Sequence, residues 1–270
     1  MAVLRAEWVR ILGRPGFRWS LVLVPLVVAL EAGFWSLAPE LERLSGGAPA
    51  RVGGFLLFAR TAQHAVLVAA AAVLLLAARD LTDEAEAGCL RALLACPPSR
   101  LAIYGGKTLV FVLAGLMLFA AAIGSSLAAG GLAGGYTDLV EEGLQRLSAG
   151  ELAAEAVRAL LFVVPAVATL AVLGLAISAL SSSTGGAMSA AAALLGLAWI
   201  ADGLAPALGF WTPLHYLGES LRIFELHAGG FFDRDFGRAQ MLGALLVPAI
   251  WALAGFGLAA TVFQRQDVTS

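Results

Sequence analysis

Residues 160–180 read LLFVVPAVATLAVLGLAISAL, without one charged side chain. A helix rises about 1.5 Å per residue and needs about 20 mainly apolar residues to cross a bilayer, so this stretch is long enough for one crossing. Five further apolar runs occupy 20–37, 55–78, 108–129, 187–208 and 241–263. The whole chain is 60% hydrophobic and 13% charged, against about 45–50% and about 25% for soluble domains. The surplus apolar surface has to face lipid. The sequence therefore predicts one all-α integral membrane domain over 1–270, with six transmembrane helices.

The flanks of the first run set the expected orientation. Over residues 2–12, Leu4, Trp8, Ile11 and Leu12 share one helical face, with Glu7, Arg10 and Arg14 opposite, which predicts an interfacial amphipathic helix over 1–16. Arg5, Arg10, Arg14 and Arg18 precede the first span against the single acid Glu7, placing this end on the cytoplasmic side. An even number of spans returns the other terminus to the same side. Asp138, Glu141, Glu142, Glu151 and Glu155 then lie outside. The first apolar run continues through Phe34, Trp35 and Leu37 with no small-residue cleavage site, so a retained anchor is expected rather than a removed signal peptide.

Net charge is −2 and no Lys/Arg stripe is present, so no nucleic-acid partner is expected. Basic residues are 16 arginines and one lysine, Lys107, in an alanine-rich chain. That usage accompanies high genomic G+C in bacteria and points to a bacterial inner membrane. Cys89 and Cys96 lack the CxxC spacing of a zinc site and are expected to be free thiols.

The most informative polar segment is 79–107. Thr82 is a candidate N-cap, and Asp83, Glu84 and Glu86 put negative charge where the helix dipole favours it. Leu90, Leu93 and Leu94 fall on one face, Pro97 and Pro98 end the helix, and Ser99 is placed to cap the next. A short helix with one greasy face suits docking into a groove of a soluble partner, or packing against its own spans. Periodicity alone leaves the two level.

Glu86-Ala87-Gly88, Leu93-Leu94, Pro97, Ser99-Arg100 and Gly106-Lys107 resemble the pattern of ABC-2 type exporter permease subunits. The likeness is close over this segment and loose over the whole layout. It implies that 79–107 is the cytoplasmic coupling helix that docks on the ATPase subunit through Glu84, Glu86, Gly88, Leu90, Leu93, Leu94, Pro97, Ser99 and Arg100. It also implies a second copy of the permease, an outer gate element over 209–240, and room for a periplasmic partner. Gly105-Gly106-Lys107-Thr108 mimics the end of a phosphate-binding loop, but Leu101 stands where the first glycine is needed. ATP and Mg are thus expected on a separate ATPase, with no cofactor and no catalysis in this chain.

Within the spans, Glu31 is a functional candidate, because an ionisable group at that depth costs about 2.5–3.5 kcal/mol unless partnered or wetted. Arg60, Gln63 and His64 lie at matching depth in the second span, so a Glu31 contact with Arg60 or His64 is feasible, lining a path or gate. A structural ion pair stands equally. His215, Glu219 and His227 are weighed as metal ligands, and scattered interface histidines are the preferred reading. Glu141-Glu142 and Arg146 match the EExxxR pattern of CAAX-like intramembrane proteases, but in a polar outer loop, where an exposed amphipathic helix is the simpler expectation. An ion-coupled transporter would show interrupted spans and paired repeats, and neither is visible.

Overall fold

The computed structural model describes residues 2–44, 53–89, 99–141, 144–204, 206–232 and 237–265. Six helices are long and apolar enough to cross a membrane, the architecture of a multi-pass membrane protein. The elements are α1 (Ala2–Gly13), α2 (Pro15–Leu44), α3 (Gly54–Ala78), α4 (Asp80–Glu86), α5 (Arg100–Ala133), β1 (Leu139–Glu141), β2 (Leu144–Leu147), α6 (Ala149–Leu180), α7 (Thr184–Leu204), α8 (Pro206–Gly209), α9 (Pro213–Ala228) and α10 (Arg238–Arg265).

Five of the apolar runs lie each in one long helix, the run 187–208 is divided between α7 and α8, and the polar flanks extend several of the helices. Pro15 opens α2, where its missing N–H would have had no partner anyway. Ser99 caps α5, its hydroxyl accepting from Ala102 N–H at 3.2 Å. Ser148 and Glu151 form a capping box that starts α6 at Ala149, well before the apolar run at 160.

The bundle is centred on α3 and α6, whose spans are 61% buried, against 17% for α2 and α7 and 22% for α10. Without a hydrophobic drive between helices in lipid, close packing of small residues has to hold them. At the α3–α6 crossing a Cβ on Gly174 would stand 2.4 Å from the Leu74 carbonyl oxygen. The Thr169 hydroxyl lies 2.8 Å from both the Pro165 and Pro248 carbonyl oxygens, joining α6 to α10 where each helix carries a proline. The outward faces of α2, α7 and α10 expose Trp19, Leu26, Phe34, Trp199, Leu246 and Leu253.

We call the end of the bundle with α1, α4 and the α6–α7 turn the near end. At the opposite, far end, α9 is too short to span: its 16 residues reach about 24 Å at about 1.5 Å each, against about 30 Å of hydrocarbon. It buries Tyr216, Leu217, Leu221 and Phe224 against α3 and α6, with Phe224 edge-on to Phe58 at 5.9 Å.

Three local expectations are corrected. The segment carrying Glu141 and Arg146 is an antiparallel hairpin, with Val140 opposite Gln145, rather than an amphipathic helix. Asp138 accepts from Gln145 Nε2 at 3.2 Å and from Ala149 N–H at 2.7 Å, holding the hairpin to the start of α6. Thr82 is not an N-cap: α4 begins at Asp80, and the Thr82 hydroxyl donates back to the Arg79 carbonyl at 3.1 Å. The helix expected to run from Thr82 to Pro97 is interrupted after Glu86, with Gly88 at φ 73°, a left-handed backbone that favours glycine, and Cys89 helical again. Leu90, Leu93, Leu94, Cys96 and Pro97 lie outside the described residues.

Candidate functional site

Helical spacing builds the near-end site. Glu7 and Arg10 on α1 and Arg14 just past its end recur at i, i+3 and i+7, and on α4 Asp80 and Glu84 stand at i and i+4, so each set points the same way. Lys107, two turns into α5, meets both. Its ammonium is fully buried and lies 3.1 Å from Glu7 Oε1, 3.0 Å from Asp80 Oδ2 and 2.7 Å from Glu84 Oε1. Arg10 Nη2 lies 2.7 and 2.9 Å from the two Asp80 oxygens, and its Nη1 donates to Glu84. Arg14 Nη2 adds a contact to Asp80 at 2.7 Å. Three positive and three negative groups are thereby balanced in one place.

A single ion buried there would cost several kcal/mol, which the mutual contacts offset. Burial works to lower the pKa of Arg10, yet Asp80, Glu84 and Glu7 outweigh it and hold the guanidinium above its ordinary value. The charged face of α1 is therefore not simply solvated: Glu7 is 6% exposed. Among the described residues, Glu7, Asp80 and Glu84 are the group whose carboxylates converge closely enough to hold a metal. Lys107 touches all three and already supplies the positive charge. His215, Glu219 and His227 form no such group among the described residues.

The other side of α4 is fastened to the α6–α7 turn. Ser178 Oγ accepts from the Leu81 and Thr82 N–H groups at 2.9 and 3.2 Å. Glu86 Oε1 accepts from Thr184 N–H at 2.7 Å, putting a carboxylate at the positive end of α7, and the Thr184 hydroxyl donates to Asp83 at 3.1 Å. Of the expected docking residues, Glu84 and Glu86 thus engage their own membrane domain. Gly88 is exposed beside the exposed Cys89, and Arg100 Nη1 donates to the Gln264 carbonyl at 3.0 Å, joining α5 to α10.

At the far end, His64 Nδ1 is 2.7 Å from Glu31 Oε1. Arg60 turns to a different partner: its Nε donates to Glu225 on α9 at 3.0 Å, and its guanidinium stacks 4.0 Å above the Trp35 ring. Gln63 lies half-buried beside Gly218. His215 pairs with Asp202 and His227 with Glu155, each at 2.6 Å. A cavity of about 850 Å³ opens next to these contacts, lined by Trp35, Ser36, Leu56, Gly134, Asp138 and Ala228 among others. Glu31, Arg60, Gln63 and His64 are not among its described walls, whereas Trp35, which lies under the Arg60 guanidinium, is.

Sequence reading singled out Glu84 as a docking residue but missed the cluster in which Glu7, Asp80 and Glu84 meet Lys107, with Arg10 and Arg14 on Asp80. The usable signal was the i, i+3, i+7 and i, i+4 charge spacing together with the only lysine in the chain. No protein-family model matches this sequence, and no curated protein matches it.

Proposed function

We propose that this chain is the membrane-spanning permease subunit of an ABC-2 type exporter. Residues 79–107 dock on a separate ATPase subunit that binds ATP and Mg, and two copies of the chain enclose the path. The near end is then cytoplasmic, with both termini, in a bacterial inner membrane. The observation that carries this reading is the near-end wiring: the segment that resembles a coupling helix starts from a short helix tied by buried charges to α1 and α5. A loop helix without a mechanical role has no need of so costly an anchorage. The exposed faces of α2, α7 and α10 leave room for lipid and for the second copy. At the far end, α9 and the pairs of Glu31 with His64 and Arg60 with Glu225 supply a polar gate region, on the side open to a periplasmic partner.

A protease is less well supported. The EExxxR residues Glu141 and Arg146 sit in facing strands of a hairpin, not on one desolvated helix face, and His215 is paired with Asp202.

The test is co-expression with any ATP-binding-cassette protein encoded beside this chain, and the absence of such a neighbour counts against the reading. The two are expected to co-purify, with the ATPase activity confined to the partner. Leu93→Asp should release the partner while leaving insertion intact, since hot-spot truncations cost about 2 kcal/mol or more. No co-purification, or unchanged co-purification and activity with Leu93→Asp, overturns the docking assignment.

A further inference from the structure

The two sides of α4 are fastened in physically different ways. Toward α1 and α5 the ties are ionic and buried: Lys107 of α5 joins Glu7 of α1 to Asp80 and Glu84 of α4, with Arg10 and Arg14 on Asp80. Pulling α4 from either helix strands charged groups away from water, an unfavourable step even when the pair itself adds little stability. Toward α6 and α7 the ties are hydrogen bonds in which the α6 or α7 partner is neutral: Ser178 with the Leu81 and Thr82 amides, and Thr184 with the Glu86 and Asp83 carboxylates. Glu86 is exposed, so water can replace its bond, and Asp83 keeps Arg79 at 2.9 Å when Thr184 leaves. Breaking this side leaves no unpaired buried charge.

We infer that α1, α4 and the opening turns of α5 move as one body, with Lys107 as the positioning residue that locks them, and that the slip plane lies between α4 and the α6–α7 turn. This rests on the reading of 79–107 as the docking segment and gives α1 a part in it. Only Arg14 separates α1 from α2, and only Arg79 separates α4 from α3, so a displacement of α4 reaches the first three spans together while α6 and α7 stay behind.

The experiment uses spin-label pairs on the full chain in lipid nanodiscs, with Cys96→Ser. One pair joins Cys89 to a label at Val9→Cys, which is exposed on α1; the other joins Cys89 to Ser182→Cys in the α6–α7 turn. With the ATPase bound, the Val9–Cys89 distance should keep its centre and width between nucleotide-free and ATP-trapped states, while the Cys89–Ser182 distance shifts. Equal shifts in both, or a shift in the first alone, overturn the inference.

The purified chain alone provides a second arm independent of any ATPase. Lys107→Met should broaden the Val9–Cys89 distribution and leave Cys89–Ser182 near its wild-type width, and Lys107→Arg should restore the narrow form. Unchanged widths in Lys107→Met refute the lock even if the ATPase docks. Broadening without any recoverable ATPase partner supports the lock and counts against the exporter reading. Should Lys107→Met not be recovered from membranes, the wild-type measurement decides.

Discussion

Lys107 Nζ and Asp80 Oδ2 lie 3.0 Å apart with both side chains fully buried, joining residues 27 apart in sequence across the near end of the bundle. Such a pair is weak evidence for net stability, but the loss of one member leaves the other charged and dry. Lys107→Met is therefore expected to destabilise the protein by about 3–5 kcal/mol. The double variant with Asp80→Asn should cost clearly less than the sum of the singles. Thermal unfolding in detergent, followed by loss of the monodisperse peak, measures both, and additivity would refute direct pairing.

Glu31 and His64 should couple with each other, and Glu31 and Arg60 should not. The pair lies inside two candidate spans, and the expected coupling is about 0.6 kcal/mol, with about 1.7 kcal/mol as the upper end. Double-variant cycles with Glu31→Gln, His64→Gln and Arg60→Gln separate the cases. A Glu31–Arg60 coupling larger than Glu31–His64 would contradict the arrangement of α2 and α3.

Arg60→Lys is expected to behave as a damaging change although it keeps the charge. Lysine loses the planar stacking over Trp35 and the Nε donor to Glu225. The expected cost is about 0.5–2 kcal/mol, and Arg60→Lys should cost less in a Trp35→Leu background than in the wild type. Full tolerance of Arg60→Lys would mean that the stacking contributes nothing.

At Gly88 the effect should come from the backbone alone. No atom lies within 4 Å of the place a Cβ would take, yet φ is +73°. Gly88→Ala should cost about 1–2 kcal/mol of local stability. Gly88→Pro should cost more, because the ring holds φ near about −65°. The labelling rate of the adjacent Cys89 thiol reads the local change, and equal rates in all three proteins would refute it.

Cys89 is exposed at the near end. In a Cys96→Ser background, a membrane-impermeant maleimide should modify it only when the cytoplasmic face is accessible. Modification from the outer face alone would invert the proposed orientation and, with it, the docking assignment.

Apolar run length determined the number and placement of the spans, because the hydrocarbon thickness imposes a length that a linear sequence displays directly. The cap at Ser99 was legible for the same reason: capping is local, acting within three residues. The Glu31–His64 contact was half legible, since depth along two helices can be counted but rotation about their axes cannot. What only the tertiary structure decided was partnership over distance. Glu7 and Lys107 are 100 residues apart in number and touch at 3.1 Å, and Arg60 pairs with Glu225 across 165. Glu86, though exposed, turns to its own bundle because α7 starts beside it and offers an N–H with no acceptor in the helix. Charges are commonly left in water, so their buried partners become visible only when the packing of the helices fixes which faces meet.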